Sequence, residues 1–98
     1  MPQSNPPPEA FYSLLSKLNT KEDHELFGWV FFTENEREMF AERMAIFREL
    51  AAGRTQREVA RNLNCSVVTV TRGAKNYNAN KEAIYRILAQ VEEPLESP

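Results

Sequence analysis

Apolar positions recur at helical spacing along most of this 98-residue chain. Phe11, Leu14, Leu15 and Leu18 follow the i, i+3, i+4, i+7 pattern of an amphipathic helix. Thr20 with Asp23 signals a second helix, which ends in the run Leu26, Phe27, Trp29, Val30, Phe31 and Phe32, too hydrophobic to stay exposed on a small monomer. Thr33 with Glu36 spells a capping box, in which the hydroxyl accepts the N3 amide and the carboxylate accepts the cap amide. It opens a long helix that carries Phe40, Met44, Phe47 and Leu50 and stops at Gly53. Thr55 with Glu58 repeats the device, so a helix starts at Gln56 with Val59, Ala60 and Leu63 turned inward. Asn64 can take the left-handed conformation that stops it, and Ser66 can cap the next helix, expected from Val67 to about Ala74. Asn80 can cap a last helix with Ile84, Ile87, Leu88 and Val91 as its inner stripe, closed by Pro94. The pattern predicts an all-α chain of six helices with no convincing strand.

Two short helices joined by a turn of about three residues are the sequence form of a helix-turn-helix, here over about residues 55–75. Charge patterning sharpens this. Residues 1–53 hold five basic and nine acidic groups, and residues 82–98 one and four, whereas residues 54–81 hold six basic and one acidic. Positive charge is therefore concentrated on the motif although the whole chain is at −2, which is what neutralising phosphate requires. A solvated helical surface that happens to be basic is the plainer alternative.

One small domain over residues 9–93 is expected, flanked by a disordered or extended Pro-rich arm (1–8, MPQSNPPP) without lysine or arginine and a flexible tail (94–98). At this length the core is small and a partner subunit contributes to stability. There is no apolar run long enough for a bilayer and no signal-peptide pattern, so a cytoplasmic protein is expected. The single cysteine, Cys65, excludes an internal disulfide and a multi-cysteine zinc site and reads as a small residue packed in the turn. His24 is equally alone and reads as a surface residue, so neither metal nor cofactor is expected. Without a paired carboxylate or a nucleophile with its base at recognisable spacing, an enzyme is not expected. Trp29 reads as a dimer-interface aromatic, and Met39 and Met44 as core fillers.

Phe32-Thr33-Glu34-Asn35-Glu36-Arg37-Glu38, Arg43, Gly53-Arg54-Thr55-Gln56-Arg57-Glu58-Val59 and Thr69-Val70-Thr71-Arg72-Gly73 together resemble the tryptophan repressor family of bacteria, over roughly the central half of the chain. The resemblance implies an intertwined homodimer, interlocked through its N- and C-terminal helices. Its two helix-turn-helix heads would repress transcription by binding double-stranded operator DNA in successive major grooves. It also implies L-tryptophan as corepressor, bound between each head and the core. Arg43 and Arg72 would sandwich the indole, since a guanidinium stacks by its face and binds a carboxylate by its edge. Gly73 would let the ring approach the backbone, and the carbonyls of Val30, Phe32 and Thr33 would accept from the ligand ammonium. Two departures stand out. Asn76 occupies a position where the family often has a serine that contacts the ammonium, and the chain is one residue shorter between Gly53 and Thr55 than familiar members. For Arg43 and Arg72 the other reading is pairing with carboxylates or phosphates.

For DNA, Gln56 and Arg57 open the first motif helix, and its amides together with the arginine suit phosphate. Arg54, Arg61 and Lys75 are further phosphate candidates. Val67, Val68, Thr69 and Thr71 begin or line the recognition helix, where methyls meet thymine and hydroxyls meet bases or phosphate, while Val70 is expected in the core. None offers the bidentate arginine–guanine readout, so specificity should rest partly on water and DNA shape. Two other classes stay open. One is a DNA-binding regulator of the same fold that needs no ligand or answers to a different effector; the other is a protein-interaction module built on the apolar second helix.

Overall fold

Side-chain caps set the helix starts in the computed structural model, which describes residues 8–91. These residues form α1 (Glu9–Lys17), α2 (Lys21–Phe31), α3 (Glu34–Ala51), α4 (Gln56–Leu63), α5 (Val67–Ala79) and α6 (Lys81–Val91), with no strand among them. The expected arm, apart from Pro8, and the tail over 94–98 lie outside the described residues. The chain divides into two compact units, one up to Arg37 and one from Glu38.

In the first unit, Thr20 caps α2 by accepting from the Asp23 amide at 3.0 Å, and His24 Nε2 lies 2.9 Å from the Leu18 carbonyl in the link between α1 and α2. Rings fill the space between the helices. Phe27 meets Phe11, Phe31 and Phe32 at centroid separations of 6.3, 5.1 and 5.2 Å, within the range where aromatic pairs attract. Yet neither α1 nor α2 has a single buried residue. Thr33 and Glu36 exchange both capping-box bonds at the head of α3. Arg37, one residue on, reaches back to the end of α2, donating to the carbonyls of Gly28 (2.9 Å) and Phe32 (2.7 Å) while its guanidinium stacks 3.9 Å from the centre of the Trp29 ring. A cation among the last carbonyls of a helix satisfies acceptors that have no intrahelical donor and complements the helix dipole. Trp29 is thus held within its own unit while 69% exposed.

The second unit holds the core. Ile46, Val59, Ala60 and Val70 form one buried cluster, and Tyr77, Ile84 and Leu88 a second; Phe47 and Leu50 pack against both. Gly53 ends the α3 segment at φ +91°, a conformation that a side chain would strain, and its amide returns to the Leu50 carbonyl. The Thr55/Glu58 capping box is complete, Asn64 is left-handed at φ 55°, and Ser66 accepts from the Thr69 amide. The turn between α4 and α5 is therefore Asn64, Cys65 and Ser66, with Cys65 packed against the first cluster as expected.

The expectations for the end of α5, for the inner stripes of α3 and α6 and for the two methionines need correction. Helix α5 does not stop near Ala74 but runs to Ala79, because Tyr77 is a core residue packed against Phe47 with the rings tilted, and carries the helix across the second cluster. Asn80 alone then separates α5 from α6, and its amide nitrogen turns back onto the carbonyl and Oδ1 of Asn76. On α6 only Ile84 and Leu88 are buried, leaving Ile87 60% and Val91 42% exposed, and on α3 Phe40 is 62% exposed. Met39 is no core filler: it is 51% exposed, and Met44 is only half-buried.

Candidate functional site

Two rows of side chains with the same spacing face each other across an open cleft of about 440 Å³. Helix α3 supplies Met39, Glu42, Arg43 and Ile46; α5 supplies Thr69, Arg72, Gly73 and Asn76. Each set follows i, i+3, i+4, i+7, one face of a helix. Its size falls in the range of small-molecule sites. Four of the residues marked for the ligand by sequence, Arg43, Arg72, Gly73 and Asn76, are brought together here. Glu42 and Met39 were not. Spacing could have marked Met39, which lies at i−4 from Arg43 on the same helix face, whereas Glu42 at i−1 does not follow from Arg43 in that way.

Among the described residues, neither Arg43 nor Arg72 makes a hydrogen bond or ion pair, so pairing with a described carboxylate does not account for them. Both are exposed and directed toward the cleft. Gly73 has a reason beyond ligand approach: a Cβ at this position would stand 3.0 Å from Ile46 Cγ2, so its bareness is what lets α3 and α5 close. Asn76 accepts the Asn80 amide through Oδ1.

Turning at about 100° per residue, α5 shows three faces. Val70, Ala74 and Tyr77 are buried, and Thr69, Arg72, Gly73 and Asn76 line the cleft. Val67, Val68, Thr71 and Lys75 form the outer face, with Val67 47% and Val68 60% exposed. Val70 is in the core and the other two valines face out, as expected. Thr69 departs from the expected set: it stands on the cleft side, its hydroxyl 2.9 Å from that of Ser66. Thr71 donates to Gln56 Oε1 at 2.8 Å, tying the start of α4 to the outer face of α5. Arg57, Arg61 and Lys75 are exposed, while Arg54 pairs with Glu49 at 3.3 Å, an acceptor shared with Asn62.

The capping bonds from Thr55, assisted by Arg54 and Arg61, hold the Glu58 carboxyl below its ordinary pKa. Burial, with the charge of Glu42 adding to it, pushes the Cys65 thiol up. Val30, Phe32 and Thr33 belong to the first unit, where the Phe32 carbonyl already accepts from Arg37 and Thr33 caps α3. Among the described residues no group of three or more His, Cys, Asp or Glu is placed to hold a metal, and no helix is long and apolar enough to cross a membrane.

Fold and site define an all-helical protein in which a short helix and a three-residue turn lead into a longer helix that forms one wall of a charged cleft. The family model described as Trp repressor protein matches residues 8–92, and the chain belongs to that family of regulatory DNA-binding proteins. Curated relatives agree. A Trp operon repressor homolog of Vibrio atlanticus is 33% identical over 90% of this chain and 94% of its own. One of Xylella fastidiosa is 34% identical over 74% and 79%, and one of Vibrio cholerae 30% identical over 80% and 77%. No solved structure is a significant match.

Proposed function

We propose that this protein is a transcriptional repressor of the cytoplasm that binds operator DNA as a homodimer and is activated by L-tryptophan. The observation that carries the reading is the cleft shared by Arg43 and Arg72, which lies directly behind the helix whose outer face carries Val67, Val68, Thr71 and Lys75. An indole between two guanidinium planes satisfies the stacking preference of arginine, and the edge of one of them can bind the ligand carboxylate. Carbonyls of Val30, Phe32 and Thr33 as acceptors for the ammonium rest on the family resemblance alone. The ligand drives a change of α5 only through its different affinity for two positions of that helix, and operator DNA must favour ligand binding by the same factor.

On the DNA side, α4 and α5 act as a helix-turn-helix. Arg54, Arg57, Arg61 and Lys75 neutralise phosphate, and Gln56 and Thr71 position the head as one bonded pair. Val67 and Val68 meet thymine methyls in the major groove, and bridging water adds to the readout. Arg54 serves in this way when it exchanges Glu49 for a phosphate. The homodimer is supported by exposed apolar side chains that a lone chain has no reason to display, Phe11, Val30, Phe31 and Phe40 among them.

The test is calorimetric titration of the protein with L-tryptophan, with Arg72→Ala and a second aromatic amino acid as controls, followed by operator selection with and without the ligand. Saturable binding that Arg72→Ala abolishes, together with tighter DNA binding in the presence of tryptophan, is the expected result. Absence of binding at millimolar ligand overturns the corepressor role.

A further inference from the structure

Glu42 is the one acidic residue lining the cleft, set beside Arg43 on α3 and facing Arg72 and Asn76 on α5. Like the two arginines it makes no hydrogen bond or ion pair with a described residue, so its carboxylate has no structural task that fixes it there. Two guanidinium groups on their own would collect any flat anion, with or without an amine. A carboxylate among them changes the selection. It repels a bare carboxylate ligand and attracts one that carries a positive charge a few ångströms from its negative one. Of the remaining lining Thr69 is polar, while Ile46, Met39 and Gly73 are apolar or bare and suit the ring of such a ligand.

We infer that Glu42 determines the specificity of this cleft: its carboxylate binds the α-ammonium of a zwitterionic aromatic amino acid whose carboxylate is held by Arg43 or Arg72, and it disfavours the same skeleton without the amine. The inference rests on the ligand reading proposed above and deepens it, because it supplies an ammonium partner from within the second unit. Glu42 is exposed, so its contribution is that of a partly solvated charge pair and not of a buried one.

The experiment compares full-length wild type, Glu42→Gln and Glu42→Asp by calorimetry, each titrated with L-tryptophan and with its des-amino analogue indolepropionate. Thermal melting of the three should coincide, since no bond of the fold is removed. Replacing the carboxylate should reduce the preference for tryptophan over indolepropionate by about five-fold, the scale of an exposed ion pair. Glu42→Asp, which keeps the charge, should retain most of the preference. Tryptophan binding by Glu42→Gln with the ratio unchanged overturns the role of Glu42 and leaves the tryptophan reading intact. Failure of the wild type to bind L-tryptophan overturns both.

Discussion

Gly73 of α5 lies against Ile46 of α3 so closely that an added Cβ would stand 3.0 Å from Ile46 Cγ2. Ile46 is itself buried among Val59, Ala60 and Val70 and has little room to yield. Glycine inside a helix costs about 0.8–1.0 kcal/mol relative to alanine, so the position gives up helix stability for closeness. Gly73→Ala should change stability by less than about 1 kcal/mol, because the gain in propensity offsets the displacement of Ile46. Gly73→Val should destabilise by about 1–3 kcal/mol through overpacking, and both should weaken tryptophan binding by reshaping the cleft. Melting curves and calorimetry check this; a valine variant as stable as wild type would mean the two helices do not close there.

The capping box at the start of α4 predicts an acid dependence. Glu58 titrates below its ordinary value of 4.5 in the folded chain, so its contribution is present above that value and is lost as pH falls through the depressed one. Wild type and Glu58→Gln should therefore differ in melting temperature at neutral pH and converge in acid. Thr55→Ala should cost about 1 kcal/mol at neutral pH.

Tyr77 donates its hydroxyl to Tyr85 at 2.9 Å, and this bond, burial and the neighbouring phenol raise its pKa from 10.0 to about 12. A raised acid is stabilising while it stays protonated, so the contribution is full below pH 10 and disappears as pH rises toward 12. Tyr85→Phe should bring the Tyr77 titration, followed by phenolate absorbance, back toward 10 and cost about 1 kcal/mol. A titration curve that does not move would remove the hydrogen bond as its cause.

Arg37 and Trp29 offer a spectroscopic test, because Trp29 is the single tryptophan of the sequence. Arg37→Met should alter its emission and, by releasing the carbonyls of Gly28 and Phe32, destabilise the protein by about 1.5–3 kcal/mol, the scale of hydrogen bonds to a charged donor. Arg37→Lys should restore little, as an ammonium cannot stack and fork together. Unchanged emission in Arg37→Met would deny the stacking.

On DNA, Arg57→Ala should weaken binding to all sequences alike and reduce the slope of log affinity against log salt by about one. Val68→Ala should instead change sequence preference and leave the salt slope alone. Binding isotherms at several salt concentrations separate the two. A salt-independent loss for Arg57→Ala would exclude the phosphate role.

Helix starts were legible because the cap and the amide it satisfies lie three residues apart, so Thr20, Thr33, Thr55 and Ser66 each declare themselves locally. The far end of α5 was not. Nothing at Ala74 breaks a helix, and its continuation depends on where Tyr77 finds Phe47, a contact across thirty positions of sequence. Apolar periodicity likewise marked Ile87 and Phe40 as inward without saying against what, residue type alone marked Met39, and all three are exposed on this chain. In the cleft, Arg43, Arg72, Gly73 and Asn76 were recoverable from motif resemblance. Glu42 carries no motif, and only the packing of two helix faces reveals it.

The three faces of α5 are borne by thirteen consecutive residues without an internal break. A rod of that kind has no joint at which occupancy of one side could be hidden from the other. Whatever lodges against Arg72 and Gly73 sets the attitude of Val68 and Lys75 as directly as one end of a key sets the other, and no relay of intermediate residues is required. If the cleft senses a ligand as proposed, substitutions on the side of Arg72 and Gly73 are therefore expected to be read out at Val68 and Lys75 even where they touch no DNA.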